Sequence, residues 1–161
     1  MHIVIREAKA NDIKQIQDIA KKSWHATYEG IIPNAVQERF LQSAYSDEMM
    51  KKRLLGSFLF VAEVEKKVVG FANFSPVKEI GEVELGAIYI YPEYQGMGIG
   101  SHLLHKGIHH IDGVQSIYIN VEKDNTIGRT FYEAKGFQLV EEFDDDFDGH
   151  TLKTVRMVLQ V

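Results

Sequence analysis

The chain has 161 residues, 45% of them hydrophobic and 25% charged, which suffices for one domain with its own core. Its net charge of −5 argues against a nucleic-acid partner, and the absence of cysteine excludes disulfides, thiolate metal ligands and a cysteine nucleophile. No apolar run approaches the roughly 20 residues that span a bilayer, and the polar N-terminus with Arg6, Glu7 and Lys9 is no secretory signal, so a cytoplasmic protein without membrane contact is expected.

His2 to Arg6 alternates and predicts a first strand. Asn11 is a candidate cap for a helix from Asp12 to about Tyr28, with Ile13, Ile16, Ala20, Trp24 and Thr27 on one face. Gly30 and Pro33 break it. Asn34 to Ala44 predicts a second helix, and Ser46 caps a third that ends at Gly56. Phe58 to Val64 and Val68 to Phe74 form a hairpin about the turn Glu65-Lys66-Lys67. A further strand runs up to Tyr91. A helix follows from about Gly98 to Ile111, its apolar stripe running from Gly100 through Leu103, Leu104 and Gly107. Ser116 to Val121 is a strand, and Thr126 to Lys135 a helix stopped by Gly136. Phe137 to Phe143 and Leu152 to Val161 are the last strands, with Val155, Met157, Leu159 and Val161 turned inward. No repeat or linker divides this order, so it is read as one mixed α/β sheet over residues 1–161.

The stretch with chemical content is Glu84 to Leu104. An apolar strand meets Pro92, then glycines at 96, 98 and 100 open a helix. Glycine lets backbone approach a ligand, and the first N–H groups of a helix favour an anion. A turn without a ligand is one reading. A dinucleotide fingerprint is another: Gly96 and Gly98 fit, and Glu122 could serve as the ribose acid. Its third position falls on Ser101, however, and four residues separate strand from loop. A P-loop is excluded, because no Gly-Lys-Ser/Thr follows.

Gln95-Gly96-Met97-Gly98-Ile99-Gly100 resembles the Gln/Arg-x-x-Gly-x-Gly/Ala signature of the GNAT superfamily of acyl-CoA-dependent N-acetyltransferases. Ile88-Tyr89-Ile90-Tyr91-Pro92-Glu93-Tyr94 resembles the fourth strand and lead-in of that family. Asn125, followed by Phe131-Tyr132-Glu133-Ala134-Lys135-Gly136-Phe137, resembles its later Asn…Phe-Tyr-x-x-x-Gly-Phe element. The resemblance implies a GNAT-like α/β fold: one mixed, mostly antiparallel sheet of about seven strands, with flanking helices and splayed central strands. It implies acetyl-CoA as cosubstrate, direct transfer to a primary amine of a small molecule, and no metal. It leaves a homodimer open. It also leaves open a non-catalytic acyl-CoA sensor, or a peptide or protein amine as acceptor.

By the same resemblance, backbone groups of Ile88, Tyr89 and Ile90 hold the pantetheine arm. Amides of Gln95, Gly96, Met97, Gly98, Ile99 and Gly100, with Ser101, hold the diphosphate, and Asn125 binds the coenzyme. Tyr132 is the candidate general acid and Glu84, beside Glu82, the candidate general base. Trp24, His25 and Tyr28 are candidate substrate-wall residues. Glu141, Glu142, Asp144, Asp145, Asp146 and Asp148 crowd the final hairpin and would attract a polyamine, or else form a solvated loop. His102, His105 and His109 have helical spacing, but Lys106 stands where a zinc protease needs Glu and all three lie opposite the apolar stripe, so water-facing histidines are expected.

Overall fold

The computed structural model describes residues 1–161. Strand β1 (Ile3–Glu7) leads through a single 3-10 turn to helix α1 (Ile13–Tyr28), then α2 (Asn34–Ala44) and α3 (Asp47–Gly56). Three strands follow, β2 (Phe58–Val64), β3 (Lys67–Phe74) and β4 (Glu82–Ile90). The rest alternates: α4 (Ile99–His110), β5 (Ser116–Glu122), α5 (Thr126–Ala134), then β6 (Gln138–Phe147) and β7 (His150–Gln160). All strands join one seven-stranded sheet in the order β1-β2-β3-β4-β5-β7-β6. Every pairing is antiparallel except β4 with β5. No helix is long and apolar enough to cross a membrane.

Local chemistry accounts for the boundaries. The Ser46 side chain accepts the Met49 N–H at 3.1 Å and starts α3. Asn11 does not cap α1. The Asp12 carboxylate accepts the Lys9 N–H at 2.8 Å and also holds Arg6, which ties down a 3-10 turn over Ala10–Asp12, and α1 starts after it at Ile13, one residue later than its sequence suggests. Gly136, with φ of 98°, stops α5, and its neighbour Phe137 donates back to the Tyr132 carbonyl. The acidic run is not a loop. Glu141 to Asp146 belong to β6, an edge strand, and the turn is Asp148-Gly149, both at positive φ. Val161 lies past the end of β7 and is 52% exposed rather than inward.

Successive residues of β4 face opposite sides of the sheet. On one side Tyr89 receives Trp24 of α1, whose indole N–H donates to the Tyr89 hydroxyl at 2.9 Å. On the other, Ile90 lies against Gly100 of α4. Helices α1 and α4 therefore cover opposite faces. The apolar stripe of α4 is buried as its spacing predicts, with Leu103, Leu104 and Gly107 inaccessible and the Phe74 ring pressed on Gly107.

Candidate active site

Strands β4 and β5 pair only from Glu82 to Glu84 with Ser116 to Tyr118, and then diverge. The divergence has a local cause. Opposite β3, Phe74 pairs with Leu85 and Asn73 with Ala87, so Gly86 is an extra residue, and a bulge of this kind bends its strand. Beyond it, β4 stays paired with β3 on one edge through Ile90, while its other edge carries free N–H and C=O groups into the gap.

The gap is a cavity of about 450 Å³. It begins at the start of α4, passes between β4 and β5, and ends against Ser23, Thr27 and Tyr28 of α1. Because α1 and α4 lie on opposite faces, it crosses the sheet. At the α4 end Gly96 and Gly98 have φ of 79° and 84°, a region open mainly to glycine. The first intrahelical amide bond of α4 is His102 N–H to Gly98 C=O, so the amides before it are free, and the helix dipole adds positive potential. Gly100 passes so close to Phe131 that a Cβ would sit 3.0 Å from the ring.

The acetyltransferase (GNAT) family matches residues 14–137. The chain belongs to this family. It is 35% identical to the uncharacterized N-acetyltransferase YuaI of Bacillus subtilis, covering 95% of this chain and 90% of that one. It is 28% identical to the spermidine N(1)-acetyltransferase of Thermoplasma acidophilum, over 91% of this chain and 95% of that one. Its fold superposes on that of PaiA N-acetyltransferase from Thermoplasma acidophilum, solved with coenzyme A, with a TM-score of 0.86 over the whole of both chains at 24% identity.

Most residues singled out from the sequence of this N-acetyltransferase converge on the cleft. Ile88, Tyr89, Ile90, Gln95, Gly96, Gly98, Ile99, Gly100, Ser101, Asn125, Tyr132 and Tyr28 all line it. Met97 does not; its side chain is 47% exposed. Trp24 is buried behind the lining, stacked on Phe40 at 4.3 Å and bonded to Tyr89. His25 faces away, between Gln37 at 2.9 Å and Glu38 at 2.7 Å. Glu84 also stands outside the lining. Both its oxygens engage the Arg156 guanidinium, which in turn donates to Asn120 at 2.9 Å and covers the Tyr118 ring. The Glu84 side chain retains 31% exposure, so the burial that would fit it for a base is not there. His102, His105 and His109 are exposed.

Three phenols gather at the inner end. Burial, reinforced by the neighbouring Tyr89, raises Tyr132 above the usual phenol range. Burial also raises Tyr28 and Tyr89. All three are neutral donors at physiological pH. The Asn125 side chain, also in the lining, accepts the Gly128 N–H on its Oδ1 at 2.9 Å and so begins α5.

The sequence reading missed Gly86, Lys135, Ser23 and Thr27. Gly86 had a signal, since an isolated glycine inside a strand pattern often marks a bulge. Lys135 is the one formal charge in the lining. It lay inside a recognised motif, at a position the motif leaves free. Thr27 was placed on the inner face of α1 by its spacing but not given to a site, and Ser23 had no signal, because a small hydroxyl on a helix gives no periodicity.

Proposed function

We propose that this N-acetyltransferase binds acetyl-CoA along β4 and acetylates a small primary amine that approaches from the α1 side. The observation that carries this is the continuity of two unsatisfied surfaces. The free edge of β4 from Leu85 to Ile90 runs directly into the free amides at the start of α4, within one cavity. The first suits an amide-bearing arm that pairs as an added strand. The second suits a diphosphate. The coenzyme thus fits the residues present, and a protein of the same fold that was solved with coenzyme A supports the reading.

The coenzyme supplies an acetyl thioester. The amine nitrogen takes the acetyl carbon, the carbon–sulfur bond breaks, and the proton the nitrogen gives up ends on sulfur. Ile88 and Ile90 hold the arm through their backbone, the Tyr89 backbone being turned to Phe71 of β3, and an N–H of this edge faces the acetyl oxygen as charge develops there. Amides from Gly96 to Ser101 hold the diphosphate, the Gln95 N–H being taken by the Pro92 carbonyl at 3.3 Å, and the Lys135 ammonium balances its charge. Tyr132, neutral and buried, donates its hydroxyl proton to the departing sulfur and recovers the one the nitrogen gives up, so a single proton passes from nitrogen to sulfur through it. Glu84 fixes Arg156 rather than meeting substrate.

The relative that acetylates spermidine supports a polyamine-like acceptor. The acidic strand gives that reading modest help, because Glu142, Asp144 and Asp148 are already paired with Lys123, Lys153 and Arg39. Thiol release from acetyl-CoA, measured across a panel of amines, tests the function. Tyr132→Phe should lower kcat by about 100-fold and leave acetyl-CoA affinity by calorimetry unchanged. Equal turnover would remove Tyr132 from the mechanism.

A further inference from the structure

Ser23 is 2% exposed, lines the α1 end of the cleft, and its Oγ has no hydrogen-bond partner in the protein. A serine in mid-helix ordinarily returns its hydroxyl to the carbonyl four residues back. This one does not. An unpaired buried hydroxyl costs about 1–3 kcal/mol, and because the Oγ itself is closed to solvent, it meets a ligand atom only when the side chain turns about χ1 toward the cleft. Thr27, one turn further along α1, adds a second hydroxyl to the same wall.

The kind of atom follows from the rest of the lining. The coenzyme's anionic groups belong at the α4 end, where the free amides lie. Ser23 is on the far side of the sheet, so what meets it is the other reactant. The lining there offers hydroxyls, carboxamides and apolar side chains. Its titratable members are Tyr28, Tyr89 and Tyr132, all held neutral by burial; the one cation of the cleft, Lys135, stands at the α4 end over the Phe131 ring that meets Gly100. The nearby carboxylates are committed elsewhere: Glu84 to Arg156, and Glu122 to the Asp124 N–H at 2.7 Å. Such a wall suits a neutral amine and penalises an ammonium, which would be desolvated without a counter-charge.

We propose that the Ser23 hydroxyl accepts an N–H of the acceptor amine, which enters the cleft as the free base, and that Ser23 thereby positions the nitrogen for attack. This rests on the acetyltransfer reading above. The proton that makes the amine neutral is lost to solvent before binding, so the pH dependence belongs to the acceptor and not to a carboxylate of the protein.

The experiment follows thiol release from acetyl-CoA with spermidine and with alanine amide, whose amines titrate near ~10 and ~8 respectively. With wild-type protein, kcat/KM should rise tenfold per pH unit and level off at each acceptor's own pKa. A common plateau for both acceptors would reveal a protein base and overturn the free-base mode. Ser23→Ala should raise the acceptor KM about three- to tenfold, leave the acetyl-CoA KM unchanged, and leave Tm unchanged or higher because an unpaired polar group is gone. Ser23→Cys, which keeps a side chain of the same branching, slightly larger, but accepts poorly, should show the same acceptor loss. An unchanged acceptor KM in both variants, or a fall in Tm with acceptor KM intact, would make Ser23 structural and sink its role alone. No thiol release with either amine from a protein that still binds coenzyme A would overturn the acetyltransfer reading and this inference with it.

Discussion

Gly107→Ala sets two local effects against each other, and the structure decides the sign. Gly107 is inside α4, where alanine gains about 1 kcal/mol of helix propensity. A Cβ there, however, would lie 2.3, 2.6 and 2.7 Å from three atoms of the Phe74 ring. Carbon atoms in contact sit about 3.5–4.0 Å apart, so ring or helix must retreat by more than about 1 Å. The ring has little freedom: Phe74 is inaccessible and edge-packed on Phe60, itself inaccessible, with His110 beyond. Overpacking of this kind costs about 3 kcal/mol at the upper end of its usual range, leaving a net loss of about 2 kcal/mol. For a chain of this size that is roughly 4–8 °C in Tm, read by calorimetry. Because α4 carries the coenzyme amides at its start, the same shift should raise the acetyl-CoA KM. Gly56→Ala is the control: it also lies in a helix but with open space around it, and should hold or raise Tm. A Gly107→Ala protein as stable as the parent would refute the close approach of α4 to the sheet.

Lys135→Glu should raise the acetyl-CoA KM about tenfold, and the gap from wild type should narrow as salt is raised to screen the pair. Glu84→Gln should leave the shape of the pH profile of kcat/KM intact and change stability by less than about 1 kcal/mol, since its partner is partly solvated; loss of the profile's rising limb would restore Glu84 as a base. Asp12 is pushed up by burial but pulled further down by its bonds to Arg6 and the Lys9 N–H, so its net shift is downward. A depressed carboxyl stabilises above its unfolded pKa of about 3.9 and loses that contribution as pH falls through the folded value. Urea midpoints should therefore show Asp12→Asn about 2 kcal/mol weaker at neutral pH, converging with wild type in strong acid. A constant gap at all pH values would refute the ion-pair account.

The elements were legible because their signals are local. Ser46, Pro33 and Gly136 mark boundaries by their own backbone chemistry, and the stripe on α4 is a matter of spacing. The errors share one origin. Asn11 does not cap α1 because a 3-10 turn comes first, held by the Asp12 carboxylate on the Lys9 N–H and on Arg6, which also meets Glu63 of β2, a fact of pairing across the sheet. The acidic run read as a loop because charge disfavours a buried strand. β6, however, is an edge strand, where charge is compatible with pairing on one side and discourages pairing on the other.

The cleft shows why site residues divide into those a motif can carry and those it cannot. The coenzyme end is made of backbone, and backbone conformation leaves glycines behind in the sequence. The acceptor end is made where a helix happens to cross the gap, so its chemistry depends on the angle of α1 over β4. Trp24, His25 and Tyr28 are close in sequence, yet one props Tyr89, one turns to α2, and only the third reaches the cleft. The residue between Lys22 and Trp24 reaches it too, and its environment, not its identity, gives it meaning. On the acetyltransfer reading proposed above, the crossing of α1 and β4 is what would set acceptor choice. A variant that alters that crossing, such as Trp24→Leu, should change which amine is preferred while the coenzyme site, fixed by α4, keeps its affinity.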